Sequence, residues 1–248
     1  MRVAFHHIAY QPLAVCNALS MERLVATAGL AGLKPGAPVM DIGCAYGEVS
    51  IHLARAFNAR VTAVELDPFM AEGAEARIKA AGLSDRIAVR QETSAAALAA
   101  QPPFDLIVAI GSTEPAGKGL REPAAVFAAL AEHLTPGGAL LWGDLFWKEE
   151  PPTPLRQLVE TGGYYVSHDE WQAAARTAGL EIVSAEISGD PEWATYRTGM
   201  ETSIAGWLDA NPDHADASSV AATASRVKMM FDFGAPYLGF GHYLFRKS

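Results

Sequence analysis

Two acids bracket a run of small residues in Pro38-Val39-Met40-Asp41-Ile42-Gly43-Cys44-Ala45-Tyr46-Gly47-Glu48, and this combination restricts what the segment can bind. Small residues at 43, 45 and 47 let backbone approach a ligand closely, and a helix opening near Tyr46 would aim free N–H groups at it. Asp41 only accepts hydrogen bonds, which suits an ammonium better than a phosphate. Glu65 closes the apolar run Arg60-Val61-Thr62-Ala63-Val64 roughly 20 residues further on, the spacing at which a carboxylate receives ribose hydroxyls. A dinucleotide fingerprint fails, because the position of its third glycine holds Glu48, whose charge repels pyrophosphate. The expected ligand is cationic and carries a ribose.

Two further acids could do chemistry. Glu114 in Gly111-Ser112-Thr113-Glu114-Pro115 and Asp144 in Trp142-Gly143-Asp144-Leu145-Phe146-Trp147 each follow an apolar run, where either could take a proton or anchor a cation. The competing roles are a solvated loop acid for Glu114 and a turn or cap residue for Asp144. His6 and His7 invite a metal reading, but adjacent side chains diverge and no spaced acid partner is evident, so no metal is expected. Tyr10, Trp147, Trp193, Tyr196 and Tyr237 are candidate walls for an apolar, aromatic or cationic small molecule, against the alternative of ordinary core packing.

These groups need a scaffold, and the hydropathy pattern supplies one. Strands are expected near 37–42, 60–66, 86–91, 104–110 and 137–143, alternating with helices near 46–57, 68–81 and 120–133. That alternation means an α/β fold with a parallel sheet covered by helices on both faces. A helix near 168–178 and a strand near 180–188 continue it, and residues 239–247 form a last strand. Residues 1–35 read as an N-terminal helical arm, with Ser20 as a helix cap. Residues 36–189 and 237–248 read as the sheet domain, and 190–236 as a two-helix insertion expected to cap the substrate site.

The chain resembles the class I S-adenosylmethionine-dependent methyltransferases at this level. Their acid-x-Gly-x-Gly-x-Gly turn is matched by Asp41, Gly43 and Gly47, with Ala45 in place of the middle glycine. Arg86 to Glu92 is similar to their third strand, Phe104 to Gly111 to their fourth, and Leu134-Thr135-Pro136-Gly137-Gly138 to the start of their fifth. The resemblance implies a doubly wound, mostly parallel seven-stranded sheet whose last strand is antiparallel. It also implies S-adenosyl-L-methionine as cofactor, with Asp41 and Gly43 near the methionine ammonium and Glu65, followed by Leu66, at the ribose. Gln91 and Glu92 would lie at the adenine, while Ala45, Tyr46, Gly47, Ile110 and Gly111 would lie along the cofactor.

Methyl transfer to a small-molecule acceptor is the activity this implies, and the finer likeness is to ubiquinone-type and cyclopropane-synthase-like enzymes. A cofactor-binding protein without transfer chemistry is the alternative. Ile110-Gly111-Ser112-Thr113 does not match the Asn/Asp-Pro-Pro-aromatic motif of amino-methylating relatives. The reaction itself demands a nucleophile held close to the methyl in a dry site, and a base only if the acceptor must lose a proton.

Composition agrees. A chain of 248 residues is long enough for one sizeable core. A net charge of -9 without a basic run disfavours nucleic acid as partner. No segment reaches the roughly 20 apolar residues of a membrane span. Leu13-Ala14-Val15-Cys16 faintly resembles a lipoprotein cleavage site, but His6, His7, Gln11 and Pro12 interrupt the apolar run it needs. Two cysteines without a pairing framework point to a reducing, cytoplasmic setting. Oligomeric state is not legible.

Overall fold

A computed structural model describes residues 2–161 and 163–248. The strands are β1 (Pro38–Ile42), β2 (Arg60–Val64), β3 (Ile87–Arg90), β4 (Phe104–Ile110), β5 (Leu134–Trp147), β6 (Leu180–Ile187) and β7 (Leu238–Lys247). They form one sheet in the order β3-β2-β1-β4-β5-β7-β6. The first five run parallel, and β7 lies antiparallel between β5 and β6. Strand order reverses between β1 and β4, so a crevice opens at their carboxyl ends, where open sheets bind ligands.

The helices are α1 (Phe5–Ala9), α2 (Met21–Gly29), α3 (Glu48–Phe57), α4 (Pro68–Ala80), α5 (Ser94–Ala99) and α6 (Pro123–Glu132). After β5 come α7 (Thr153–Val159), α8 (His168–Thr177), α9 (Asp190–Ala210) and α10 (Ala217–Gly234). Local chemistry sets several starts. Ser20 caps α2 by accepting the Arg23 N–H, as expected, and Asp67 caps α4 by accepting from Phe69 and Met70. Ser167 and Glu170 close a reciprocal capping box on α8.

Both sheet faces are buried, which is why β1 and β4 read as nearly unbroken apolar runs. One core gathers Leu24, Leu53, Leu106, Leu141 and Leu244. The other gathers Met40, Ile107, Phe127, Leu140, Trp142, Trp171 and Phe245. Tyr196, Met200, Ile204 and Phe231 of the insertion belong to the first core, and α1 packs on α9. The insertion is thus built into the main core. β5 is longer than expected because β7 pairs with it from Ala139 to Trp147. Among the described residues, no helix is long and apolar enough to cross a membrane.

Candidate functional site

β1 delivers Asp41 and Ile42 to the crevice, and the chain then turns through three left-handed residues: Gly43, Ala45 and Gly47. Gly43 is required twice over, by its φ of 70° and because a Cβ there would lie 2.8 Å from Ser112 Oγ. Ala45 holds φ 49° although it carries a Cβ, a conformation costing about 1–2 kcal/mol. Its N–H is fastened to Glu65 Oε2 at 3.0 Å, and the Asp67 N–H donates to Glu65 Oε1 at 2.9 Å. The carboxylate thereby stitches the ends of β1 and β2 together while keeping lone pairs for a ligand. Burial pushes its carboxyl pKa up, with the backbone donors opposing.

Asp41 is 3% exposed and accepts a 2.6 Å hydrogen bond from Ser50 Oγ. Burial raises its carboxyl pKa to about 6, and the neighbouring Glu65 charge adds to the rise. It lines a recess of about 30 Å³ beneath the turn together with Gly43, Ala45 and Tyr46. A ligand ammonium there would supply the countercharge that the protein itself withholds. The folded pKa lies above the ordinary carboxylate value of 3.8, so Asp41 ionises at a loss of stability. Its contribution is fully present below pH 4 and disappears as pH rises through 6.

Asp41→Asn is therefore expected to raise the melting temperature of the ligand-free protein at pH 7 by several degrees, up to about 3 kcal/mol. The gain should shrink towards zero at pH 4, while the cationic ligand binds more weakly. Melting curves at both pH values check this, and an equal shift at each would count against it.

The main cleft holds about 770 Å³. Gly43, Ala45, Glu65, Leu66, Glu92, Ile110 and Gly111 line it, and so does Tyr10 from the arm. Gln91 and Gly47 line neither this cleft nor the recess. Gln91 is exposed outside the cleft, because β3 ends one residue earlier and the chain turns. Gly47 is the residue before α3, with φ 80°, and packs against Ala74. Tyr46 is buried, donates its hydroxyl to the His7 carbonyl at 2.7 Å, carries the Arg77 guanidinium over its ring and lines the small recess beside Asp41. Two residues had no signal in the sequence. Asn17 donates to the Ile110 carbonyl and faces Gly111, and Ser112 donates to the Ile42 carbonyl.

Beyond residues 111–114 lies an adjoining pocket of about 60 Å³, walled by Trp142, Asp144, Tyr164, Tyr165 and Trp171. Asp144 Oδ1 accepts the Leu145 N–H at 2.8 Å. Burial pushes its carboxyl pKa to about 7. Trp142 Nε1 is buried and, among the described residues, without a hydrogen-bond partner. Glu114 reaches the rim of both cavities, but its Oε1 accepts the Gly119 N–H at 2.9 Å and closes its own loop. Both acids line this pocket, and Asp144 is the one whose pKa is raised.

The aromatic candidates mostly belong to packing. Trp147 is buried with Nε1 on Glu160 and Arg156 over its ring. Trp193 lines a separate recess between α9 and α10. Tyr196 is buried in the main core, and Tyr237 packs on the cluster of Leu155 and Leu238. Only Tyr10 reaches the cleft. The two histidines, expected to diverge, converge on Asp67.

The donor set suits a cationic nucleoside: two acids, a turn that admits close approach at Gly43 and Gly111, and a cleft of ligand size. A family model described as a methyltransferase domain matches residues 39–138. The 27-O-demethylrifamycin SV methyltransferase of Amycolatopsis mediterranei is 28% identical over 222 residues, spanning 86% of this chain and 78% of that one. YjhP of Escherichia coli, an uncharacterized protein, is 26% identical over 213 residues, 83% of this chain and 82% of that one. The crystal structure of an S-adenosylmethionine-dependent methyltransferase from Geobacter sulfurreducens, in complex with S-adenosyl-L-homocysteine, superposes with a TM-score of 0.85 at 22% identity. It covers 98% of both chains.

Proposed function

We propose that this chain is a class I S-adenosylmethionine-dependent methyltransferase whose acceptor is a small hydroxylated molecule, and that Asp144 takes the hydroxyl proton. The observation that carries this reading is a carboxylate with a raised pKa in a pocket that shares residues 111–114 with the cofactor cleft. Such a base is needed when the nucleophile must lose a proton, as a hydroxyl must, and its pKa near the working pH suits the task. The similarity to an enzyme named for methylation at an oxygen supports the same choice.

S-adenosylmethionine supplies a methyl group already activated on a positively charged sulfur. Around it, Asp41 answers the ammonium, Glu65 accepts from the ribose hydroxyls, and Glu92 faces the adenine end. Gly43 and Gly111 keep the walls close, which helps to hold the acceptor in line and exclude water. Trp142 walls the acceptor pocket, and Asp144 receives the acceptor's hydroxyl proton. The acidic chain favours a small-molecule partner over nucleic acid, and two free thiols support a reducing cytoplasmic setting.

Incubation with S-adenosylmethionine and a pool of hydroxylated metabolites tests the proposal by mass spectrometry. S-adenosylhomocysteine should accumulate together with an acceptor heavier by one methylene, carried on oxygen. Methylation confined to nitrogen, sulfur or carbon would overturn it.

A further inference from the structure

Asp67 has no role in the scheme above, yet it uses every hydrogen-bonding atom it owns. Its backbone N–H holds Glu65 Oε1 at 2.9 Å. Its Oδ1 caps α4 through Phe69 and Met70. Its Oδ2 receives two imidazoles, His7 Nε2 at 2.9 Å and His6 Nε2 at 3.2 Å. The rings meet edge to face, and His7 stacks on Phe69. Burial alone would raise the Asp67 carboxyl pKa, but the His7 and His6 bonds hold it down to about 2.

A divalent metal is the obvious rival for two imidazoles and a carboxylate. The Ala4 N–H argues against it. That group donates to His7 Nδ1 at 3.2 Å, so Nδ1 presents its lone pair and the proton sits on Nε2. A metal at Nε2 would need the opposite arrangement and would leave two N–H groups facing each other.

We infer that His6 and His7 are positioning residues for the cofactor: through Asp67 they join the N-terminal arm to the acid that receives the ribose. The same arm is fastened at two further points, Tyr46 Oη to the His7 carbonyl and Arg77 to the Gln11 carbonyl at 2.6 Å. Between them it carries Tyr10 into the cleft wall. Arm position and Glu65 orientation are thus set by one hydrogen-bonded joint, and loosening it releases both. The joint touches neither Asp144 nor the acceptor pocket, so its effect falls on cofactor retention and not on the transfer step.

The test compares the unaltered chain with His6→Phe/His7→Phe, which keeps two aromatic rings but removes both donors, and with His6→Gln/His7→Gln, which restores an amide N–H near each Nε2. Asp67→Asn, which keeps the helix cap but gives up the shared acceptor, serves as a third variant should the Phe pair fold poorly. Release of S-adenosylhomocysteine is followed by stopped-flow, and KM and kcat are measured separately. The Phe pair and Asp67→Asn should release the nucleoside about 10–100-fold faster and raise KM for S-adenosylmethionine accordingly. Their kcat at saturation should stay within about threefold, and the Gln pair should recover most of the retention.

Unchanged release in all variants would overturn the inference, as would equal loss in the Gln pair, which signals packing. Saturable binding of Zn²⁺ that requires both histidines and tightens the cofactor would replace it with the metal reading. The inference rests on the cofactor assignment, and the wild-type protein separates the two: if it fails to bind the nucleoside at all, the assignment fails first.

Discussion

Replacing Glu65 by alanine is expected to weaken S-adenosylmethionine binding by about two to three orders of magnitude. Each charge-assisted hydrogen bond between a carboxylate and a ribose hydroxyl contributes about 1.5–3 kcal/mol, and Glu65 is placed to accept two. The substitution also removes the acceptor for the Ala45 and Asp67 N–H groups, so the left-handed turn at Ala45 loses its restraint. Glu65→Gln should fall between, since an amide keeps one acceptor oxygen and turns a donor towards an N–H that needs an acceptor. Titration calorimetry with S-adenosylhomocysteine measures both variants. Affinity within twofold of wild type for the alanine variant would remove Glu65 from the cofactor site.

The second large effect belongs to Asp144. Asp144→Asn preserves size and the acceptor for the Leu145 N–H but cannot take a proton, and kcat is expected to fall about 10²–10⁴-fold with little change in KM for the cofactor. The pH profile carries the sharper prediction. With a carboxyl pKa near 7, the wild-type base is protonated and idle below that value, so kcat should fall about tenfold per pH unit on the acid side. Above pH 7 the carboxylate is free and the rate should level off. In Asp144→Asn the acid limb should vanish along with the rate. A wild-type profile flat through pH 7, or a variant with undiminished turnover, would exclude the acid as the base.

Asp41 and Asp144 share one physical cause with opposite uses. Burial raises both carboxyls, but Asp41 sits in a recess where a ligand cation can restore its charge, whereas Asp144 faces a pocket whose occupant is expected to hand it a proton. Both sites cost the ligand-free protein stability, a pattern common where function requires an unpaired charge.

Much of the scaffold was legible because its signals are local. β1, its turn and the acid after β2 lie close together in the chain, and parallel pairing from Pro38–Arg60 to Ile42–Val64 brings their ends side by side. The positions of α3, α4 and α8 followed from periodicity, and α9 and α10 lie within the two-helix insertion expected at 190–236. The short helices α1, α5 and α7 escaped because 5, 6 and 7 residues hold too little of a 3.6-residue period to register. Helical spacing of aromatics reports a buried face: Tyr196 on α9 is buried against Phe231 and the main core, while the partly buried Trp193 also lines the recess beside it.

What the residues alone determined was the make-up of the turn, two acids around a run of small residues, and the order of strands and helices that presents it. Those properties depend on neighbours a few positions away and on the repeat of a strand or helix. Which distant groups would meet was settled only by the folded chain. Asp144 faces the pocket while Glu114 closes a loop, Asn17 reaches across to Ile110, and two histidines of the arm share one oxygen of Asp67. Such meetings arise from the summed packing of the whole chain, a non-local quantity that no short stretch of sequence contains.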